Sequence, residues 1–304
     1  MTELRPTLCP ICRTDAFDDE VYPMSFRPEE LDATVFSARR LPDRLHYRMV
    51  RCRQCALLRS NPILPTEALS ALYQASKFTY GTEARFATGT YARYLDRALP
   101  RVRERGALLE IGCGNGLFLA AARERGFRSL CGVDPSRESV AAAPPDIRAT
   151  IQVGLYGPDS FAPAQLDVVC AFQVLDHAPD PAELLRAAYV HLKPGGIALF
   201  INHDAGAASA RLLGRRSPIV DVEHTALYDK KTMRRFFEQT GFVVHEVFSV
   251  ANTYPAAYWA KMVPLPRRVK QPLLRALAGS PVGDIPVRLH AGNLGIIAEK
   301  PESA

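Results

Sequence analysis

The chain holds 304 residues, 47% of them hydrophobic and 23% charged, enough apolar material for one large α/β domain with a small appendage or for two modest domains. No run approaches the roughly 20 apolar residues of a bilayer span, and no apolar signal core precedes Cys9, so a soluble, cytoplasmic protein without a membrane partner is expected. The net charge of +6 is spread over scattered arginines rather than a basic run interleaved with aromatics, which argues against nucleic acid as the ligand; the densest cluster, Arg267, Arg268 and Lys270, fits a solvated helix face.

Four of the seven cysteines fall as Cys9-Pro-Ile-Cys12 and Cys52-Arg-Gln-Cys55; Cys113, Cys131 and Cys170 sit in apolar, strand-like contexts. The odd count argues against a disulfide framework. A C-x2-C pair offers two thiolates to one ion, and two pairs make a closed S4 site suited to structural zinc. Residues 1–65 are therefore expected to form a small zinc-binding module with Cys9, Cys12, Cys52 and Cys55 as ligands. His46 is the alternative ligand, and two unconnected pairs of reduced thiols the alternative reading.

Pro62 and Pro65 interrupt the chain. Thr66 can cap a short helix reaching Tyr73, and Phe86 to Arg105 has helical spacing through Tyr91, Leu95, Leu99 and Val102 up to a break at Pro100. Residues 66–105 thus read as a helical linker. From Gly106 strands are predicted at Leu108–Ile111, Ser129–Val133, Thr150–Val153, Leu166–Phe172, Ile197–Ile201, Phe242–Val250 and Leu294–Glu299. Helices are predicted at Leu117–Arg125, from Ser136 to the Pro144-Pro145 break, at Pro181–Leu192 and at Lys230–Thr240. Alternation at this spacing predicts, over 106–304, a Rossmann-like seven-stranded, mostly parallel sheet with helices on both faces.

The first of these strands runs through Glu110-Ile111 into Gly112-Cys113-Gly114-Asn115-Gly116 and straight into a helix. Such glycines allow a tight turn and let a ligand lie against bare backbone, in the crevice at the carboxyl ends of the strands. Position 117 is Leu where a dinucleotide fingerprint has its third glycine, and Glu110 would repel a pyrophosphate but suits an ammonium group or a water bound to one. Asp134 ends the next strand, placed to accept from both hydroxyls of a ribose.

These residues resemble the class I S-adenosylmethionine-dependent methyltransferases. The likeness continues through Gly132-Val133-Asp134, through Leu166 to His177 and through Leu192-Lys193-Pro194-Gly195-Gly196, and covers roughly residues 100–250. Asp176 stands where the family more often has Glu. The resemblance implies that Gly112, Gly114 and Gly116 cradle the methionine part of S-adenosylmethionine, with Glu110 near its amino group and Asp134 on the ribose. Pro135 and Ser136 would flank the adenine, and Phe172 and Gln173 the sulfonium. The acid that the family often has beside the adenine is missing from Gly154-Leu155-Tyr156-Gly157, where Leu155 or Tyr156 would pack instead. Tyr80 is either an aromatic with which residues 66–105 close over the cofactor as a lid, or an ordinary packing residue. The cysteine segment, with Leu72-Tyr73 after it, is similar to the zinc-bearing N-terminal segment of bacterial sugar C-methyltransferases and natural-product methyltransferases, where it helps form the substrate site.

Methyl transfer is an in-line displacement for which the protein supplies alignment and, for a hydroxyl or carbon acceptor, a base. His177, His203 and His224 all follow strands at the carboxyl edge of the sheet, His224 matching the family's substrate-side histidine region best; Tyr228 is a further candidate. His191, His245 and His290 read as surface or packing residues. Residues 204–228 are expected to form a substrate lid, whose Arg211, Arg215 and Arg216 either meet a carboxylate or phosphate or line a solvated face. The expected enzyme methylates a small molecule on carbon or oxygen, the cysteine module favouring carbon, such as a sugar nucleotide or a natural-product intermediate. The alternatives are an RNA methyltransferase gripping nucleic acid with its zinc module, against which Asp15, Asp18, Asp19 and Glu20 speak, and a non-catalytic S-adenosylmethionine-binding protein. The sequence sets no oligomeric state.

Overall fold

A computed structural model describes residues 3–27, 45–75, 82–263 and 265–302. Strands β1 (Asp18–Tyr22), β2 (Met49–Cys52) and β3 (Leu58–Ser60) come first, then helices α1 (Thr66–Ala75) and α2 (Thr82–Ala98). The chain then alternates through β4 (Ala107–Ile111), α3 (Leu117–Glu124), β5 (Ser129–Asp134), α4 (Arg137–Ala141), α5 (Pro145–Arg148), β6 (Ile151–Val153), β7 (Leu166–Phe172), α6 (Pro181–His191) and β8 (Leu192–His203). It ends with α7 (Ala208–Leu213), β9 (Ala226–Leu227), α8 (Lys230–Thr240), β10 (Val243–Pro255), α9 (Ala256–Met262), α10 (Arg267–Leu277) and β11 (Pro286–Glu299).

Seven strands form one sheet in the order β10-β11-β8-β7-β4-β5-β6. Only β11 runs against its neighbours, pairing antiparallel with β8 and β10. The expected seven-stranded, mostly parallel architecture is the one observed. β7 is buried at every residue, as an apolar run covered on both faces must be. Helix ends follow local chemistry. Asp180 accepts from the backbone N–H groups of Ala182 and Glu183 ahead of Pro181, and Asp229 and Thr232 close a reciprocal cap on α8, which Gly241 ends at φ +108°.

Three strands outrun the expectation. β8 begins at Leu192 rather than Ile197, because its pairing with β7 slips between Leu166 and Val168 and absorbs Lys193 to Gly196. β10 and β11 continue past the sheet, where Ala251 to Pro255 pair with Pro286 to His290 as an antiparallel arm carrying α9 and α10. This arm is half exposed and rich in polar residues and proline, so no buried-strand pattern marked it.

The N-terminal strands make a second, antiparallel sheet in the order β1-β2-β3-β9. Its fourth strand comes from Ala226–Leu227, between β8 and α8 of the large domain, so this sheet is built jointly by both parts. Cys9, Cys52 and Leu57 share one buried cluster with Leu109, Val169 and Phe200 of the large sheet. Inside the small sheet the fully buried Arg59 holds Asp18 through two bonds of 2.8 and 2.7 Å and also donates to the Thr7 carbonyl. Removing one partner of such a pair costs about 3–5 kcal/mol.

Candidate cofactor and acceptor site

At the carboxyl ends of the parallel strands lies a cavity of 940 Å³. Its floor is the turn between β4 and α3. Gly112, Gly114 and Gly116 all take positive φ, at +71°, +54° and +70°, the region that favours glycine. Space excludes a side chain as well: a Cβ on Gly112 would sit 2.4 Å from Val174 Cγ2, and one on Gly116 2.3 Å from Ile147 Cγ2. Gly112 borders the cavity beside Glu110, Asp134, Pro135 and Ser136. Gly114 and Gly116 shape the turn without lining the cavity.

Glu110 and Asp134 are both buried. Burial raises the Glu110 carboxyl well above the usual carboxylate range, and the Asp134 charge adds to the effect. Its Oε2 has no hydrogen-bond partner among the described residues, as a group waiting for a cation would show. Asp134 is also raised by burial, against the backbone N–H groups it binds: Oδ2 accepts from Gly114 at 2.7 Å and Oδ1 from Ser136 at 2.9 Å. These bonds fix the carboxylate and leave a lone pair on each oxygen. Ser136 accepts from the Ser139 N–H and so caps α4. Leu155 and Tyr156 line the same end of the cavity; the Tyr156 hydroxyl meets His191 Nδ1 at 2.6 Å, and the other nitrogen of that ring donates to the Pro158 carbonyl.

Phe172 is stacked on Tyr91, ring centroids 4.3 Å apart, with Phe118 edge-on. Gln173 takes φ +58°, a left-handed conformation that a non-glycine residue adopts at a cost of about 1–3 kcal/mol. Its N–H donates to the Ile201 carbonyl at 2.7 Å, and its buried Oε1 has no hydrogen-bond partner among the described residues. Both residues line the cavity. Tyr80 lies outside the described residues.

The three candidate histidines converge at the other end. His203 and His224 have ring centroids 4.4 Å apart, and His177 and His224 4.7 Å apart; all three line the cavity. Asp176, read in the sequence only as a replacement for Glu, is their anchor. It is fully buried, and its Oδ2 accepts from His203 twice, from the backbone N–H at 3.1 Å and from Nδ1 at 2.6 Å. Burial works to raise the Asp176 carboxyl, but the His203 hydrogen bond and the three neighbouring imidazoles outweigh it and hold it well below the ordinary range. His224 donates from Nδ1 to the Ile219 carbonyl at 2.8 Å; burial, with His203 and His177 close by, pushes its pKa well below the usual imidazole value. The Tyr73 hydroxyl is 3.4 Å from His177 Nδ1.

Tyr228 is a correction. It is fully buried, stacks on Phe236 with centroids 5.8 Å apart and belongs to the apolar cluster beneath the sheet, and it is absent from the cavity wall. It follows β9 directly and its backbone bridges to Asp204. Arg211, Arg215 and Arg216 are exposed and do not line the cavity either. The arm contributes lining residues that the sequence reading did not name: Asn252, Tyr254, Tyr258 and Trp259, with His290, which had been read as a surface or packing residue.

The four paired cysteines do come together, each sulfur within 4.8 Å of the others. Cys9 and Cys55 sulfurs are 3.5 Å apart, and Cys12 and Cys52 sulfurs 3.8 Å apart. A tetrahedral site with zinc–sulfur bonds of about 2.3 Å needs sulfurs about 3.8 Å apart, so the quartet fits a zinc ion. Hydrogen bonding from Cys55 lowers the Cys9 thiol to about 5 against the effect of burial. His46 is not among this group: its Nδ1 meets the Tyr47 carbonyl at 2.8 Å and its ring packs on Tyr22.

Comparison with known proteins agrees with this arrangement. A family described as a methyltransferase domain matches residues 83–247. The ubiquinone biosynthesis O-methyltransferase of Stutzerimonas stutzeri (strain A1501) is 30% identical over 115 residues, 35% of this chain and 49% of that protein. The enzyme of the same name from Paracidovorax citrulli (strain AAC00-1) is 32% identical over 117 residues, 35% of this chain and 48% of that protein. The chain thus spans about half the length of the curated relatives it matches. Among solved structures, a methyltransferase in complex with the Haloferax volcanii Trm112 methyltransferase activator matches with a TM-score of 0.50 at 20% identity, over 77% of this chain and 98% of that one. The YcgJ protein of Bacillus subtilis matches with a TM-score of 0.50 at 16% identity, over 71% and 99%. With more than half its length matched, the chain belongs to the methyltransferase-domain family and has the fold of the class I S-adenosylmethionine-dependent methyltransferases.

Proposed function

We propose that this chain transfers a methyl group from S-adenosylmethionine to a small molecule bound between the glycine loop and the histidines. The observation that carries this reading is one continuous cavity with the Glu110–Asp134 pair at one end and the Asp176-anchored imidazoles at the other. The ammonium group of the donor's methionine part meets the unpartnered Glu110 Oε2, and its ribose hydroxyls donate to Asp134. Phe172 and Gln173 flank the sulfonium, and Pro135, Ser136 and Tyr156 the adenine. The relatives' names favour oxygen as the methylated atom over the carbon that the cysteine module suggested.

An oxygen acceptor must lose its proton before or during transfer. A carboxylate and a carbonyl only accept hydrogen bonds, so Nδ1 carries the hydrogen in both His203 and His224, and their Nε2 lone pairs are the basic atoms of the acceptor end. Zinc held by Cys9, Cys12, Cys52 and Cys55 has a structural role, fixing residues 1–65 against the segment around His224. On this reading 66–105 covers the cofactor, 106–304 is the catalytic domain, and 204–228 is its substrate lid.

No helix among the described residues is long and apolar enough to cross a membrane. Calorimetry with S-adenosylhomocysteine tests the donor end. Asp134→Ala is expected to weaken binding at least 100-fold, and unchanged affinity would remove the ribose contact and with it the orientation of the donor.

A further inference from the structure

The acceptor end holds more ligand atoms than proton transfer uses. Asp176, His177, His203 and His224 each bring one metal-binding type of atom within 4.8 Å of the others. They come from three separate stretches, after β7, at the end of β8 and just before β9, so chain proximity does not explain their meeting. Metal–nitrogen bonds of about 2.0–2.1 Å in a tetrahedral site set donor atoms about 3.3 Å apart; modest side-chain rotations would close this group on an ion.

The way the rings are held is a second observation. A metal-bound histidine as a rule gives its other ring N–H to a carboxylate or a backbone carbonyl. His203 gives Nδ1–H to Asp176 Oδ2 at 2.6 Å, and His224 gives Nδ1–H to the Ile219 carbonyl at 2.8 Å. Each keeps Nε2 as its donor atom. A third observation is the other oxygen of Asp176. Oδ1 is buried with no hydrogen-bond partner among the described residues, 3.9 Å from His177 Nε2. An unpaired buried carboxylate oxygen is costly, and a cation beside it removes the cost. Asp221 and Glu223 also line this end of the cavity and add negative charge around it.

We propose that Asp176, His177, His203 and His224 form a second metal site, distinct from the cysteine quartet, that takes a divalent first-row transition ion such as zinc or iron(II). Imidazole nitrogens suit these ions, whereas magnesium and calcium want oxygen ligands. The assignment of the residues stands on geometry alone; the role of the ion rests on the methyl-transfer reading. An ion there would occupy the Nε2 lone pairs of His203 and His224 in place of their role as bases; it would bind the acceptor's hydroxyl oxygen and ease loss of its proton to solvent. The oxygen's lone pair then forms the new bond to the methyl carbon, and the carbon–sulfur bond breaks with its electron pair going to sulfur, leaving S-adenosylhomocysteine.

The test compares bound metal in the full chain and in a His203→Ala/His224→Ala variant, each stripped with chelator, reloaded with zinc and desalted. The expected result is one zinc fewer per chain in the variant, with the zinc on the cysteines retained and the affinity for S-adenosylhomocysteine unchanged. An equal zinc count in the two proteins overturns the site. Should the variant fail to fold, cobalt(II)-loaded wild-type protein decides. Cobalt on thiolates has intense near-ultraviolet charge-transfer absorption, so a further bound equivalent with only weak visible bands and nitrogen and oxygen ligands by X-ray absorption supports the site. Thiolate-bound cobalt alone overturns it. A protein that binds no metal here yet binds the donor product and turns over leaves methyl transfer standing with an imidazole base, whereas one that fails to bind S-adenosylhomocysteine overturns the methyl-transfer reading whatever its metal content.

Discussion

Asp176 Oδ2 receives both the backbone N–H and the Nδ1–H of His203, at 3.1 and 2.6 Å. The double bond of contacts ties the end of β7 to the end of β8 and sets the tautomer and the angle of the ring together. Asp176→Asn keeps the size of the side chain but no longer requires that tautomer. Turnover is expected to fall about 100-fold or more with S-adenosylhomocysteine affinity preserved. The carboxyl is depressed in the folded state, so its contribution to stability is present above the unfolded pKa of about 3.9 and is lost as pH falls below it. The Tm gap between wild type and variant should therefore be full near neutrality and close in acid; unchanged turnover, or a gap that widens in acid, would count against the anchor.

Glu110 has the opposite sign. Its carboxyl is raised by burial and by Asp134, so in the ligand-free protein its ionisation opposes folding. The unfolded chain releases this proton near pH 4.3 and the folded chain only at higher pH, so wild type loses stability as pH rises between the two. Glu110→Gln should melt higher than wild type at neutral pH and bind S-adenosylmethionine more weakly. Parallel melting curves from pH 5 to 8 would refute the cost assigned to Glu110.

The cysteine module reaches the acceptor end through identifiable contacts. β3 pairs with β9, and the Ser60 hydroxyl donates to the His224 carbonyl at 2.9 Å. Cys52→Ser should lose the ion, lower Tm by about 5 °C or more and reduce turnover, while donor affinity stays near wild type because Glu110 and Asp134 lie on other strands. Elemental analysis and calorimetry on the same sample would check both halves. Wild-type turnover in a variant with no metal on the cysteines would detach the module from the acceptor site.

What the sequence made legible was set by what leaves a local pattern. Buried strands such as Leu166–Phe172 and the glycine turn after Glu110 read directly, because burial on both faces and positive φ constrain residue type at each position. The arm did not, since Asn252, Thr253, Arg288 and His290 line a half-exposed ladder that demands no apolar run. Tyr228 was misread for a related reason: it follows a two-residue strand and is held by a single bridge to Asp204, and so short a stretch shows no periodicity. Asp176 stood in plain view before His177, yet its partner His203 is 27 residues away, and only the parallel pairing of β7 with β8 brings them together.

That arm supplies the last prediction. Tyr254 and Tyr258 stack with centroids 4.2 Å apart, Trp259 meets both edge-on, and the Trp259 indole N–H donates to the Val287 carbonyl at 2.9 Å across the hairpin. These rings line the cavity, far from the glycine turn in sequence. A rigid aromatic wall binds a flat or apolar acceptor through area and ring contact, with about 0.5–1.5 kcal/mol beyond burial for each aromatic pair. Tyr258→Ala should therefore raise the acceptor KM about tenfold, equivalent to about 1.4 kcal/mol, with the KM for S-adenosylmethionine and the turnover at saturating acceptor close to wild type. If the donor KM rises instead, the arm closes over the cofactor and the acceptor is read elsewhere in the cavity.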